Sequence, residues 1–303
     1  MPTTLVSGGA GYVGRFIVNA LIEGGHDIVV MGRSQPAAEL FIAPVRFVEG
    51  TLDAARDQTA SFAGVDHFVH AAFDHVPGRY RGGEGDDPAG FRARNVDGSM
   101  ALFRQAKAAG IKRAVFISSR AVYGTQPPGS LLSEETSPHP DTLYGDVKLT
   151  VERRLHALSN AAFVTASLRV TGVYGPAGPG RPDDKWTLLI RDWLAGKPIE
   201  PHVGSEVHGK DVGRAVALML DAPRDEVSGE VFNVSDLMVD RSDVLGAAQQ
   251  ATGASLPLPP LADASRFNLM QTDKIAALGW RPGGAKLMRE TVRGLAERLK
   301  VVT

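Results

Sequence analysis

The residues that could do chemistry are a tyrosine, a lysine and a serine. Tyr144 and Lys148 stand four apart, which puts both on one face of a helix. A phenol titrates near 10 in isolation. A neighbouring ammonium favours the phenolate and lowers that value. A tyrosine so tuned can take the proton of a substrate alcohol or return it to a carbonyl. Ser119 precedes Tyr144 by 25 residues and ends the apolar run Val115-Phe116-Ile117-Ser118. Its hydroxyl can bond a substrate oxygen and turn it toward Tyr144. A tyrosine and lysine at this spacing are often only a surface pair, so their surroundings decide.

The strongest of those surroundings is Gly8-Gly9-Ala10-Gly11-Tyr12-Val13-Gly14. It lies between a strand-like run, Thr4 to Ser7, and a helical one marked by Val13, Phe16, Ile17, Ala20 and Leu21. In that context glycines have separate duties. Gly8 permits a tight turn, Gly11 lets backbone approach a pyrophosphate, and Gly14 lets helix pack on strand. Tyr12 and Val13 open the helix, whose first N–H groups and positive dipole end face the anion. The implied ligand is a dinucleotide. The second strand ends in Gly32-Arg33-Ser34 with no acid. An acid there bonds the ribose 2′-hydroxyl of NAD, whereas an arginine suits a 2′-phosphate. Arg33, aided by Ser34, therefore favours NADP over NAD, the alternative being a solvated surface arginine. A positive nicotinamide ring would lower Tyr144 further, and Lys148 would hold its ribose.

These groups need a scaffold. Further short apolar runs occur at 28–31, 45–48, 67–70, 114–117 and 163–168. Helical spacing separates them, as in a stretch from Phe91 to Ala109 and another from Asp146 to Leu158. Strands alternating with helices imply right-handed crossovers and a parallel, doubly wound sheet. Ligands in such sheets bind at the carboxyl ends of the strands, where Ser119 sits. The second half is less regular. It shows helical patterns near 186–195, 211–220 and 287–299 and a strand at 231–234. The expected architecture is α/β: a Rossmann-type doubly wound parallel sheet with a smaller α-rich C-terminal substrate domain. Residues 1–170 form the first part, with 211–236 returning to it, and 171–210 and 237–303 form the second.

Composition narrows the field. The 303 residues carry 33 Lys+Arg against 34 Asp+Glu and no cysteine. Disulfides, thiolate metal sites and cysteine nucleophiles are excluded. Balanced charge argues against nucleic acid as a partner. No apolar run reaches membrane-spanning length, and the chain enters a strand pattern at once, leaving no room for a signal peptide. A cytoplasmic protein with no membrane contact is expected. The histidines show no metal-ligand spacing, and no metal is expected.

Several further segments fall into one known order. They are Asn95-Val96-Asp97-Gly98, Phe116 to Gly124, Tyr144-Gly145-Asp146-Val147-Lys148, Leu168 to Pro176, and Asp273-Lys274-Ile275 with Leu278-Gly279-Trp280. With the glycine turn they span nearly the whole chain. The sequence resembles the extended short-chain dehydrogenases/reductases of the NAD-dependent epimerase/dehydratase family. The resemblance implies Ser119, Tyr144 and Lys148 as the catalytic trio. It implies cofactor contacts from the glycine turn, Leu52, His70-Ala71-Ala72, Asn95 and Ser118, and a homodimer built on the helix carrying Tyr144.

The chain departs from the family at four places. Arg120-Ala121 replaces the Asp-Glu that dehydratases use to eliminate water. Thr171-Gly172 stands where sugar-nucleotide epimerases carry asparagine. Gly204 to Asp211 lacks the arginine that clamps a pyrophosphate and offers Glu206 instead. Thr51-Leu52 replaces an Asp-Ile pair against adenine. These differences favour a small hydroxyl or carbonyl substrate: a sugar acid, polyol or ketone. The alternatives are a nucleotide-sugar 4-epimerase using the same trio and a non-catalytic NAD(P) sensor. The long Gly-rich loop after His70 is of a length typical of lids. His75, Arg79 and Arg81 from it, with Arg120, Thr171 and, from the second part, Arg181, Lys185 and Trp186, are the substrate candidates.

Overall fold

The computed structural model describes residues 1–76, 79 and 82–300. The first strand, β1 (Thr3–Ser7), leads through the glycine turn into α1 (Tyr12–Glu23) and β2 (Asp27–Gly32). β3 (Arg46–Glu49), β4 (His67–His70), α2 (Pro88–Arg92), α3 (Ser99–Ala108), β5 (Arg113–Ser119), α4 (Leu143–His156) and β6 (Val164–Val170) follow. The chain then makes β7 (Gly172–Tyr174), α5 (Lys185–Leu194), β8 (Val203–His208), α6 (Gly209–Asp221), α7 (Arg224–Val227), β9 (Glu230–Val234) and β10 (Leu237–Asp240). It ends with α8 (Arg241–Thr252), α9 (Asp273–Ala277) and α10 (Gly284–Lys300).

Seven strands pair in the order β3-β2-β1-β4-β5-β6-β9, every pair parallel. The order reverses between β1 and β4, so a crevice opens there at the carboxyl ends. Ser7 is in register with His70, and His70 with Phe116, so the ends of the three central strands lie side by side. Alternate strand residues face opposite layers. Val6, Val30 and Val115 pack with Ile17 of α1 and Val212 and Val216 of α6. Leu5, Val29 and Phe116 pack with Phe103 of α3 and Val147 and Val151 of α4. Each such side chain contributes about 1.5–3 kcal/mol, so Phe103→Ala is expected to cost about 3–5 kcal/mol.

A second, three-stranded sheet, β10-β8-β7, supports a smaller lobe. Its core joins Tyr174, Trp186, Ile190, Trp193, Leu245 and Val292. This sheet was not expected: β7 is three residues long, and Gly204 and Glu206 interrupt the apolar alternation of β8. The helix expected over 91–109 also differs. It is α2, a π-helical turn at Ala93–Gly98, and α3. Gly98 lies so close to Leu52 that a Cβ would stand 2.0 Å from its carbonyl oxygen. No helix of the described residues is long and apolar enough to cross a membrane.

Candidate active site

The N-terminus of α4 carries the tyrosine. The Thr142 hydroxyl caps it, accepting the Gly145 N–H at 3.1 Å. Gly145 is needed there, because a Cβ would lie 2.4 Å from the Ala121 oxygen. This close approach seats α4 on the short helical turn Arg120–Tyr123 that follows β5. Ser119 begins that turn, its hydroxyl accepting the Ala121 N–H at 3.2 Å. Ser119 and the N-terminus of α4 thus both lie at the carboxyl end of β5. Tyr144 packs edge-on against Phe73, with ring centroids 5.1 Å apart.

Lys148 lies one turn further in and is 5% exposed. Its ammonium donates to the Ile117 carbonyl at 2.7 Å. Around it are the rings of Phe73 at 4.5 Å, Phe116 at 4.8 Å and Tyr144 at 5.9 Å. Burial pulls the lysine down to about 7, and Glu152 opposes the fall. An ammonium held near neutrality beneath a phenol is the arrangement a tuned tyrosine requires.

The glycine turn fits a pyrophosphate. Gly8 has a positive φ of 70°, and a Cβ there would come within 2.6 Å of Ala72. At Gly14 a Cβ would lie 2.1 Å from the Gly8 oxygen. Gly11 is the N-cap of α1 and brings no capping side chain. The turn therefore offers a bare backbone cradle with the helix N–H groups behind it, and no side chain fills the approach from Gly11. The Tyr12 hydroxyl reaches across to the Gly175 carbonyl at 2.7 Å, and Arg15 donates to Pro176. These bonds tie the turn to the segment after β7.

Three residues expected at the cofactor turn their side chains into the framework. The side chain of His70 is fully buried, bonded to Ser7 at 2.6 Å and Ser99 at 2.8 Å; what it leaves toward the crevice is backbone with Ala71 and Ala72. Asn95 is 2% exposed. Its amide binds Phe91 and both the N–H and C=O of Asp74, so it anchors the loop. The Ser118 hydroxyl donates to Glu152, a framework bond. Leu52 packs on the α3/α4 layer. Arg33 is 84% exposed and 3.8 Å from Asp74, with Ser34 exposed beside it.

The substrate candidates scatter. His75 stands edge-on to Phe73 at 6.0 Å, near Tyr144. Arg79 is exposed, and Arg81 lies outside the described residues. Arg120 donates to the Asn268 carbonyl at 2.9 Å and covers the Phe267 ring, joining the turn after Ser119 to the C-terminal segment. Two of the candidates are buried. The Thr171 side chain is buried and bonded to Val234 of β9. Trp186 is core, stacked on Tyr174 at 4.1 Å.

Sequence reasoning passed over the buried Glu152–Arg169 pair, in which Nη2 meets Oε2 at 2.9 Å. Its signal was present: Glu152 follows Lys148 by another four residues. Lys185, a substrate candidate from the second part, pairs with Glu206 directly over Gly172. Burial raises the Glu206 carboxyl, against the pull of Lys185. Both residues line a cavity of about 470 Å³ with His202, Gly204 and Val239.

A doubly wound sheet with a glycine-rich dinucleotide turn and a Ser/Tyr/Lys edge defines the class of extended short-chain dehydrogenases/reductases. Residues 4–235 match the model of the NAD dependent epimerase/dehydratase family, and the chain belongs to that family. The UDP-glucose 4-epimerase of Lacticaseibacillus casei is 28% identical over 313 residues, 92% of each chain. MoeE5, solved in complex with UDP-glucose and NAD, superposes with a TM-score of 0.77 at 27% identity, over 98% of this chain and 99% of that one. The UDP-glucose 4-epimerase of Thermotoga maritima, at 23% identity and a TM-score of 0.80 over 99% of both chains, shares the fold.

Proposed function

We propose that this NAD-dependent family member acts as a nucleotide-sugar 4-epimerase, with Ser119, Tyr144 and Lys148 as its catalytic trio. The observation that carries the chemistry is the buried Lys148 ammonium, fixed by Ile117 beneath the turn of α4 that bears Tyr144. The relatives' names carry the substrate class. A bound nicotinamide would supply the reversible hydride exchange with the carbinol carbon. The protein's part is proton traffic and placement. Tyr144 Oη takes the hydroxyl proton, the Ser119 hydroxyl holds that oxygen, and the Lys148 charge keeps the phenolate accessible. Residues 8–14 hold the pyrophosphate on the α1 N-terminus.

A second reading has its own support. Glu206 and Lys185 stand over Gly172, and the segment 204–211 holds no clamping arginine. A carboxylate there repels a pyrophosphate, which favours net oxidation or reduction of a small hydroxyl or carbonyl compound. Residues 171–210 and 237–303 are proposed to choose the substrate, with 1–170 and 211–236 holding the cofactor. A sensor without catalysis has no use for the buried lysine.

For the cofactor, the narrower proposal is NADP. The exposed contact of Arg33 with Asp74 is worth under about 1 kcal/mol, little enough for a doubly charged 2′-phosphate to displace. A homodimer through α3 and α4 is proposed from the family alone.

The test is incubation with UDP-sugars and with small polyols and sugar acids, following product stereochemistry and nicotinamide absorbance together. An epimerase inverts C4 with no net change in absorbance; a dehydrogenase consumes free cofactor. Tyr144→Phe should reduce either activity by a factor of about 10²–10⁴. Full activity in that variant refutes the trio.

A further inference from the structure

We propose that Phe73 is a positioning residue of the reaction centre. Its ring meets the Lys148 ammonium and the Tyr144 ring together, and gives the lysine a π face that favours its charged form. The inference rests on the reading of Tyr144 and Lys148 as catalytic and adds the side chain that walls them in.

The geometry is one of direct contact. Phe73 lies three residues beyond the end of β4 and is half-buried. Its ring centroid is 4.5 Å from Lys148 Nζ, inside the range of about 6 Å over which a cation is drawn to a ring face. The same ring stands at 84° to that of Tyr144, with centroids 5.1 Å apart, an arrangement aromatic pairs prefer. From β5 come the Phe116 ring, 4.8 Å from Nζ, and the Ile117 carbonyl at 2.7 Å. Phe116 belongs to the sheet core. Phe73 reaches the ammonium from a loop.

A ring on a loop can hold a catalytic group only where the loop is fixed. Asn95, in the π-helical turn, accepts the Asp74 N–H at 2.8 Å and donates to the Asp74 carbonyl at 2.8 Å. Its amide also donates to the Phe91 carbonyl at 3.0 Å. The Phe91 ring, 1% exposed, stands edge-on to Phe73 with centroids 5.5 Å apart. Arg94, from the same turn, donates to the Asp74 carboxylate at 2.6 Å. Such turns are frequent at functional sites. Here the turn fixes the residue next to Phe73, and α2 before it supplies a wall against the ring.

The charged groups around Lys148 have partners of their own. Glu152, one turn further along α4, binds Ser118 of β5 and Arg169 of β6. His70 of β4 is neutral, pulled down to about 3 by burial and by Lys148 itself. Arg92 of α2 pairs with Asp146, and Arg154 with Asp97 of the π turn. Asp74 pairs with Arg94. A buried ammonium tends to give up its proton. Burial brings Lys148 to about 7, with Glu152 opposing, so a modest attraction sets its charge near neutrality. Contact with a ring face, where water is excluded, is worth about tenfold in the ratio of ammonium to amine.

The readout is the chemical shift of the lysine Cε in the isotope-labelled, full-length chain, followed against pH. The Lys148 signal is the one missing from Lys148→Met. Phe73→Leu keeps an apolar side chain over the ammonium and removes the π face. Its Lys148 midpoint should fall by about one pH unit, a tenfold loss of ammonium relative to amine. Phe73→Tyr keeps the face and should titrate as wild type does. A ring that only fills space predicts lower stability in Phe73→Leu and no movement of the midpoint. A folded Phe73→Leu whose Lys148 midpoint is unchanged or raised overturns the proposal. So does a Phe73→Tyr whose midpoint falls as far as that of Phe73→Leu. The titration reads Lys148 without substrate. Full activity in Tyr144→Phe overturns the catalytic trio instead, so the two failures are distinct.

Discussion

Acid should loosen this fold in measurable part through His70. Its ring has no exposure and two partners whose proton roles can be worked out. The Ser99 hydroxyl donates to the Asn95 carbonyl at 2.6 Å, so it accepts from Nε2–H of the histidine. Ser7 must then donate to Nδ1. Protonating Nδ1 breaks the Ser7 bond and places a charge in the core near Lys148. Burial therefore pulls the imidazole from 6.5 down to about 3. The sign follows from the unfolded state binding the extra proton. Stability is complete above about pH 6.5, is lost as pH falls, and levels off near pH 3. Each pH unit is worth about 1.4 kcal/mol, so about 2 kcal/mol is gone by about pH 5. That is a large part of a total of about 5–15 kcal/mol. The perturbation is His70→Gln, which keeps a bond to one serine and does not titrate. Urea unfolding at about pH 7.5 and about pH 5 measures it. Gln should cost about 1–3 kcal/mol at the higher pH, and the gap to wild type should narrow by about 2 kcal/mol at the lower. His208, also pulled low by burial, is present in both proteins and cancels. A gap independent of pH refutes the assignment of a neutral, doubly bonded His70.

Three other outcomes are expected. Gly14→Ala drives a Cβ to 2.1 Å from the Gly8 oxygen, and calorimetry should show at least about a tenfold loss of NAD affinity. Arg33→Ala should weaken NADP more than NAD, and Asp74→Asn, which frees Arg33, should strengthen NADP by up to about fivefold; equal changes for both cofactors remove the 2′-phosphate role. Glu206→Gln takes a negative charge from the small lobe, so UDP binding should tighten several-fold, and unchanged UDP affinity separates that carboxylate from any pyrophosphate subsite.

The parts legible in the sequence are those where one residue type has one physical use. Glycines 8 and 14 read correctly as a backbone turn because a Cβ at either would run into neighbouring backbone. The sheet strands read correctly because burial on both faces leaves unbroken apolar runs such as Ile28 to Met31. The smaller lobe resisted for the opposite reason. β7 and β8 carry Gly172, Gly204 and Glu206, which break any period, and their pairing is settled by tertiary packing under Tyr174 and Trp186. The α2–α3 helix was read as continuous because its apolar spacing survives the π turn; the close contact of Gly98 with Leu52 beside that turn is invisible in one dimension.

Polar residues near the crevice show the same division more sharply. Sequence position brought His70, Asn95 and Ser118 to the right strand ends and helices, but position alone does not say which way a side chain turns. In each case the side chain turned inward, where a partner was waiting: Ser7 and Ser99 for the histidine, the Asp74 backbone for the asparagine, Glu152 for the serine. Burying a polar group without a partner costs about 1–3 kcal/mol, so these bonds hold the crevice walls at fixed separation. Rigid walls are what a hydride transfer between two bound molecules demands, because misplacement by an ångström costs about a hundredfold in rate. The polar side chains that shape this site are thus mostly those that do not face it.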